Sequence, residues 1–430
     1  MKMQKLIIFH YHLNPGGVTR IIESQAESLR HISKNIEIIV LAGDCFNDDI
    51  LKRNNVQLII NPALNYLTET EDLANKFEII KSIFSQHVDK NCIIHAHNLN
   101  LGKNPLVTKA LSDISKTGIP LINHCHDFAE DRPANMELYN SIARELNFNL
   151  KECMYPEIDN YTYITLNSFD KNRLISYGIH ADKVSVLPNP VSFSIQDLSI
   201  KQAKESINKT LQLDANKLIA TYPVRVIRRK NIGEFILLAA LLRDKANWLV
   251  TQPPKNPVEI EHYTPWVEFC KKEDIKVVFE AGTRVNFEEL LTATDFCVST
   301  SVQEGFGMVF MEPWLINTPV VGRNIEMVTV DIKAAEIQFP LLYNEIKIDY
   351  NNKQTDFASL DANAQREVIK ECLQNKNYAI KVMDLNPFIA NLLNNISPDI
   401  IQKNKSIIKE EFSIEKYGTK LNGIYQKLIG

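Results

Sequence analysis

The stretch of sequence that says most about the fold is residues 299–312, which read STSVQEGFGMVFME. Small hydroxyl residues end an apolar run, a Gly-x-Gly turn follows, and a second apolar run begins near Met308. This pattern predicts a strand, a tight turn at which a ligand can approach the backbone, and then an apolar helix. Glu304 lies on the turn, and Glu312 follows eight residues later. On a helix these carboxylates would be about 12 Å apart.

Two carboxylates at that separation fit the two ends of one elongated ligand. One would hold sugar hydroxyls and the other ribose hydroxyls, while N–H groups of the turn contact a phosphate between them. The separation exceeds the distance of about 5 Å between the carboxyl groups of a retaining glycosidase. The helix dipole alone would account for Glu304, but it leaves Glu312, which lies in an apolar neighbourhood, without a purpose.

Short β-branched runs alternate with amphipathic segments over most of the chain. This alternation predicts an α/β fold, with doubly wound parallel sheets that helices cover on both faces. We predict strands at residues 6–10, 36–41, 56–60, 93–97, 119–126, 161–166, 184–188, 218–223, 248–251, 277–282, 296–301 and 319–322.

The alternation is interrupted after Pro190, because residues 192–213 are polar and contain no strand pattern. Beyond Arg323 the strand pattern fades, and we predict helices at 361–373, 386–395 and 413–428. Two similar sheets facing each other would leave a cleft at the carboxyl ends of their strands, where ligands bind in such folds. The predicted domains are 1–190 together with a C-terminal helix at about 413–430, and 191–412.

The composition excludes several classes of protein. With 45% hydrophobic and 23% charged residues the chain is globular, and a net charge of −4 argues against a nucleic-acid partner. The longest apolar run, residues 235–242, is far shorter than the ~20 residues of a membrane span, so we expect no transmembrane segment. Seven cysteines without a CxxC pair indicate reduced thiols and a cytoplasmic protein.

Two further clusters follow predicted strands and could bind phosphate. Gly16 and Gly17 lie between the first strand and the first helix, where free N–H groups can meet an anion; a plain tight turn is the alternative. In the sequence RVIRRK, Arg225 and Lys230 could clamp a diphosphate. Taken alone, the contiguous cations at 228–230 are more typical of a solvated basic run.

These elements, EGFGMVFME, RVIRRK and PGGVTR, resemble those of retaining GT-B glycosyltransferases of family 4, and the resemblance spans most of the chain. The terminal FSIEKYGTKLNGIYQKLIG resembles the helix that, in this family, crosses back onto the N-terminal domain. The resemblance implies that Arg225 and Lys230 bind the donor diphosphate, that Glu312 holds the ribose, and that Glu304 holds the transferred sugar. The remaining donor-binding residues that it implies are Gly16, Gly17, Arg284, Gly305, Phe306 and Gly307.

A histidine at the end of a first-domain strand adds to this likeness. His126, followed by Asp127, matches the family histidine that contacts the donor sugar, and from its chemistry we expect a hydrogen-bond donor to a hydroxyl. A structural histidine is the alternative. Asn98, Lys103, Asp127 and Arg132 lie on first-domain loops and are the candidate acceptor-binding residues for a small polar or glycan acceptor.

The activity implied is transfer of a hexose from a UDP-, GDP- or ADP-sugar to an acceptor hydroxyl, with retention by front-face substitution. Its catalytic residues would be His126, Glu304, Arg225 and Lys230. The leaving diphosphate would take the acceptor proton, and protein cations would stabilise its charge, so we expect no cofactor and no metal. Asn231 replaces a glycine usual in the family, but this removes no charged group.

Two other classes of function stay open at this point. Alternation along two predicted strands places His95 with His97, and His124 with His126, on common faces. Such pairs could bind zinc in a metal-dependent hydrolase. A non-catalytic nucleotide-sugar binder is the other alternative.

Overall fold

The computed structural model describes residues 5–32, 35–193 and 199–429. The chain divides into two compact units, Met1–Pro190 with Phe412–Gly430, and Val191–Glu411. The boundaries that the sequence suggested, after residue 190 and at about residue 413, differ from this division by at most one residue.

The first unit is built on a parallel sheet of seven strands. Its strands are β1 (Lys5–His10), β2 (Glu37–Ala42), β3 (Gln57–Ile60), β4 (Cys92–His97), β5 (Leu121–Cys125), β6 (Tyr161–Thr165) and β7 (Val184–Val186). They lie in the order β3-β2-β1-β4-β5-β6-β7. Every residue of β4 and β5 is buried, because helices cover both faces of the sheet.

The helices of this unit begin where the sequence offers a suitable first residue. Proline, whose missing N–H costs nothing at a helix start, opens two of them, and Asn167 caps another by accepting a hydrogen bond from Asp170 N at 2.7 Å. The helices are α1 (Gly17–Ile32), α2 (Asp49–Arg53), α3 (Leu73–Ser85), α4 (Pro105–Ser115), α5 (Pro133–Glu145), α6 (Leu150–Met154) and α7 (Ser168–Ser176).

The second unit contains a six-stranded parallel sheet and an antiparallel hairpin. Its strands are β8 (Leu218–Arg225), β9 (Ala246–Gln252), β10 (Val277–Val278), β11 (Phe296–Ser299), β12 (Val320–Arg323), β13 (Leu342–Tyr343), β14 (Lys347–Tyr350) and β15 (Lys353–Asp356). The sheet order is β10-β9-β8-β11-β12-β13, and β14 pairs with β15.

Helices flank this sheet and fill most of the remaining unit. They are α8 (Ile200–Leu211), α9 (Ile232–Leu241), α10 (Pro257–Lys272), α11 (Ala281–Arg284), α12 (Phe287–Ala293), α13 (Glu312–Leu315), α14 (Glu326–Ala334), α15 (Ala362–Gln374), α16 (Lys376–Leu385) and α17 (Pro398–Glu411).

The last helix, α18 (Ile414–Ile429), belongs to the first unit and packs on α1. Gly418 permits this close approach, since a Cβ there would lie 2.7 Å from Cβ of Ser28. Leu421 and Tyr425 are fully buried on the same helix. Within the residues described, no helix is both long and apolar enough to cross a membrane.

Three local predictions were wrong. The strand pattern does not end at Arg323, because β13, β14 and β15 follow; strands of two to four residues are too short for alternation to reveal. The apolar helix expected from Met308 is a 3-10 turn, Met308–Phe310, followed by the short α13. The helix expected at 386–395 is a 3-10 helix, Pro387–Asn391.

A buried cluster of charges joins several elements of the second unit. Glu234 on α9 is fully buried and accepts hydrogen bonds from Arg323 Nε at 3.0 Å and from the Tyr343 hydroxyl at 2.7 Å. Arg323 also donates two hydrogen bonds of 2.8 Å to Asp356. The cluster therefore connects α9, β12, β13 and β15.

We expect Glu234→Ala to lower the free energy of unfolding by about 3–5 kcal/mol, because it leaves a buried arginine with one carboxylate fewer. Lys276→Ala is the control, since both side chains of the Lys276–Asp274 pair are 81% exposed and such pairs contribute little. Urea unfolding of the two variants measures the difference. Equal losses would show that the cluster does not stabilise the unit.

Candidate active site

The second unit contains another buried ion pair, between Lys230 and Glu304. Their side chains are 11% and 8% exposed, and the ammonium of Lys230 contacts one carboxylate oxygen of Glu304 directly. The other oxygen is 2.8 Å from Nη1 of Arg229. Lys230 ends a 3-10 turn directly before α9, and Glu304 lies in the loop that follows β11. Both positions are at carboxyl ends of sheet strands.

Hydrogen bonds from two adjacent strands fix the backbone around this pair. The Tyr222 hydroxyl, on β8, donates to the carbonyl of Lys230 at 2.8 Å and lies 2.8 Å from the hydroxyl of Ser301. Thr300 donates to the same carbonyl at 3.1 Å. The small hydroxyl residues that end the predicted strand therefore hold the loop that carries Lys230.

Lys230 and Glu304 each stabilise the charged form of the other, although burial disfavours both charges. Burial alone would raise the pKa of Glu304, but the charges of Lys230 and Arg229 outweigh it, and the pKa lies below its ordinary value. Burial lowers the pKa of Lys230, and the carboxylate of Glu304 opposes that shift. A buried ion pair is costly unless its geometry is good, so this one is better explained by function than by stability.

Three further predicted donor-binding residues lie in the same unit as this pair. Arg225 is exposed at the end of β8, and Arg284 is exposed at the end of α11. Among the residues described, neither side chain has a hydrogen bond or an ion pair. Glu312 is half-buried at the start of α13, so the helical spacing assumed for it and Glu304 was wrong.

The turn between the two carboxylates has the backbone that its glycines predict. Gly307 has a φ of +80°, and a Cβ there would lie 2.5 Å from Cγ1 of Val328. A Cβ built at Gly305 would have no other group within 4 Å, so the backbone there is open to a ligand. Phe306, between the two glycines, is half-buried. Asn231, where the family usually has glycine, takes a left-handed φ of 48°, which asparagine tolerates better than most residues.

In the first unit, Gly16 and Gly17 are exposed where α1 begins. No group lies within 4 Å of a Cβ built at Gly17, so this helix N-terminus is open to an anion.

Four histidines form a buried cluster in the first unit. β4 and β5 run in parallel with His97 opposite His124, and the loop after β5 adds His126. His97 Nδ1 is 2.9 Å from His126 Nε2, and His95 Nε2 is 3.1 Å from His124 Nδ1. His126 is 9% exposed, and the other three are fully buried.

Sequence reasoning missed two members of this cluster, Gln25 of α1 and Tyr425 of α18. Gln25 Oε1 is 3.0 Å from His97 Nε2, and its Nε2 donates to the Tyr425 hydroxyl at 2.6 Å. That hydroxyl is 2.9 Å from His95 Nδ1. A polar residue at a core position of the apolar face of α1 was the available signal for Gln25.

The arrangement also bears on the metal alternative. One ring nitrogen from each of His95, His97 and His124 lies within 4.8 Å of the others, a grouping that could hold a metal ion. Most of these nitrogens are engaged in the hydrogen bonds just described, which account for the cluster without a metal and which an ion would have to break.

Burial keeps these rings neutral. It lowers the pKa values of His95 and His126 to about 3, and those of His97 and His124 well below the usual value. His10, at the end of β1, has its pKa lowered to about 3 as well, by burial and by the neighbouring His12.

The candidate acceptor residues lie on loops of the same unit. Asn98 Oδ1 accepts hydrogen bonds from the backbone N–H groups of His126 and Asp127, at 2.7 and 3.1 Å, so it holds the loop in place. Arg132 donates to Asp127 at 2.7 Å, and the Lys103 ammonium lies 5.4 Å from the centre of the Tyr66 ring. Burial lowers the pKa of Lys103, and the charge of Arg132 lowers it further.

Comparison with known proteins identifies the class. The family described as Glycosyltransferase Family 4 matches residues 15–194. A mannosylglucosyl-3-phosphoglycerate synthase of Petrotoga mobilis is 31% identical over 394 residues, covering 87% of this chain and 75% of that protein. The chain therefore belongs to glycosyltransferase family 4, and it is a glycosyltransferase.

Further similar proteins agree with this assignment. A mannosylglucosylglycerate synthase of the same organism is 25% identical over 279 residues, covering 57% of this chain and 63% of that protein. HepE of Anabaena, solved with UDP and glucose, has a TM-score of 0.61 at 15% identity and covers 99% of this chain and 100% of its own. The sucrose-phosphate synthase of Thermosynechococcus elongatus has the same TM-score and identity, with 99% of each chain covered. These structures show the fold class, GT-B with two Rossmann-like domains, and confirm that prediction.

We expect the stability of the protein to fall on acidification below about pH 6.5, where unfolded histidines begin to bind protons and the buried ones do not. Each buried histidine contributes up to about 1.4 kcal/mol per pH unit between its unfolded and folded pKa values, so the free energy of unfolding rises with pH in this window. Urea unfolding at about pH 7 and about pH 5 measures the slope.

His124→Gln should make that slope shallower by the contribution of one proton. His262→Gln, at an exposed position of the second unit, should leave it unchanged. A slope that His124→Gln does not alter would show that this ring is protonated in the folded protein.

Proposed function

We propose that the protein transfers a hexose from a nucleoside-diphosphate sugar to a hydroxyl of a small anionic acceptor, with retention at the anomeric carbon. The observation that carries this proposal is the buried Lys230–Glu304 pair beside the open Gly305–Gly307 turn. It supplies a cation for a diphosphate, a carboxylate for sugar hydroxyls and backbone N–H groups for a phosphate, all at the carboxyl ends of parallel strands.

In this proposal Arg225 and Lys230 stabilise the charge that develops on the leaving diphosphate, and that diphosphate takes the proton of the acceptor hydroxyl as the new bond forms on the same face. Glu304 keeps Lys230 in place before the donor binds and then holds sugar hydroxyls. Arg284 and Glu312 would bind the nucleotide, and Gly16 and Gly17 its phosphates. Because side chains provide the cations, we propose a reaction that needs no metal.

The acceptor class is supported by the names of the two Petrotoga relatives, whose products differ by a phosphate. Lys103, whose ammonium lies 5.4 Å from the centre of the Tyr66 ring, and Arg132 are cations that suit an acceptor carrying a phosphate or a carboxylate. We also propose a cytoplasmic location, supported by seven free cysteines of which six are buried.

We expect one of UDP, GDP and ADP to raise the melting temperature in excess EDTA, since a ligand that binds only the folded state stabilises it. Arg225→Ala should weaken that nucleotide at least about tenfold without altering the melting temperature of the free protein, because it removes a charge-assisted contact from an exposed position. Arg243→Ala, another exposed arginine of the second unit, is the matched control.

If no nucleotide raises the melting temperature in EDTA, and zinc or manganese then stabilises the protein, the proposal of a metal-free transferase is contradicted. That result would favour the histidine metal site and a hydrolase. Nucleotide-sugar binding without turnover would indicate the non-catalytic binder.

For the acceptor, we expect Lys103→Met and Arg132→Met each to raise the KM of a glucosyl-3-phosphoglycerate acceptor about tenfold, because each removes a cation facing an anion. The KM of the corresponding acceptor without phosphate should change less. Steady-state kinetics with both acceptors measure this, and Lys90→Met, at an exposed lysine of the same unit, should change neither value. Equal effects on both acceptors would show that these cations do not bind the phosphate.

A further inference from the structure

The hydrogen bonds of the histidine cluster converge on one amide, that of Gln25. An amide oxygen can only accept and an amide NH2 can only donate, so Gln25 fixes the direction of both bonds that it makes. Its Oε1, 3.0 Å from His97 Nε2, requires a proton on that nitrogen. Its Nε2, 2.6 Å from the hydroxyl of Tyr425, makes that oxygen an acceptor and leaves the phenol proton for another partner.

One chain of hydrogen bonds runs from Gln25 to the edge of the cluster. His97 is neutral because it is fully buried, so a proton on Nε2 leaves Nδ1 as an acceptor. Nδ1 of His97 then accepts from His126 Nε2 at 2.9 Å, which places the proton of His126 on Nε2. The neutral ring of His126 keeps a lone pair on Nδ1, and within the described chain no group is hydrogen-bonded to that atom.

The other chain starts at Tyr425. Its hydroxyl donates to His95 Nδ1 at 2.9 Å, so His95 carries its proton on Nε2 and donates to His124 Nδ1 at 3.1 Å. The proton of His124 is then on Nε2, a buried atom without a hydrogen-bond partner. One amide therefore sets the tautomers of four imidazoles.

We propose that Gln25 is a positioning residue that sets His126 in the Nε2–H tautomer, so that His126 presents Nδ1 as a hydrogen-bond acceptor to a hydroxyl of the transferred sugar. The contact of His126 with the transferred sugar, which the family resemblance implies, rests on the proposed function. This differs from the expectation drawn from the sequence, in which His126 donates to the hydroxyl. The reverse orientation of the amide would invert every tautomer, so the proposal makes a definite choice between two states.

Imidazole 15N NMR of the ligand-free, histidine-labelled protein tests the tautomer directly. We expect a protonated Nε2 and an unprotonated Nδ1 for His126, assigned with His126→Gln. A proton on Nδ1 would overturn the proposal. Because no substrate is present, this result does not depend on whether the protein transfers a sugar.

Variants of Gln25 and Tyr425 distinguish the two chains of hydrogen bonds. Gln25→Leu should leave His126 as a mixture of tautomers, and Gln25→Glu, which still accepts from His97, should restore the Nε2–H form. Tyr425→Phe, which interrupts only the other chain, should alter His95 and His124 and leave His126 unchanged. A His126 spectrum that Gln25→Leu does not alter would overturn the proposal.

Binding supplies the functional readout. Gln25→Leu should weaken the nucleotide-sugar about tenfold while the affinity of the nucleoside diphosphate alone, which has no sugar hydroxyl, stays the same. Gln25→Glu should recover most of the loss. Equal weakening of both ligands would show a structural defect and overturn the positioning role, whereas failure of the wild type to bind either ligand would contradict the proposed function and leave the tautomer result standing.

Discussion

The parallel strands of both main sheets determine where Lys230, Glu304 and the clustered histidines lie. Parallel strands end at one edge, so the residues that follow them gather there, and helices bury both faces. In the second unit this brings the loop after β8 next to the loop after β11, and with them Lys230 next to Glu304. In the first unit the same geometry places His97 opposite His124.

The two units meet the cost of burying polar groups in different ways. Lys230 and Glu304 stay charged, because each supplies the opposite charge that the other needs. The histidines instead stay neutral, and hydrogen bonds join their rings in two chains. The ion pair keeps charged groups next to a predicted diphosphate site, and the hydrogen bonds of the histidines fix the orientations of their rings.

Much of this was accessible from the sequence because the relevant signals are local. Alternation of apolar runs with amphipathic segments predicts parallel α/β domains, and the three quoted motifs predict the family, which the comparisons confirm. The turn at Gly305–Gly307 followed from its glycines. The helix predicted from Met308 did not form, because Pro313 has no N–H to donate within such a helix, and α13 begins only at Glu312. The roles of individual site residues stay predictions.

The sequence by itself determined the alternation of elements, the turn that needs glycine, and the acidic and basic residues at strand ends, since each depends on neighbours within a few positions. Only the tertiary structure decided which side chains meet. Gln25 and Tyr425 are 400 positions apart, yet they share one hydrogen bond because α18 packs on α1. No local pattern encodes that contact, and the direction of the histidine chain depends on it.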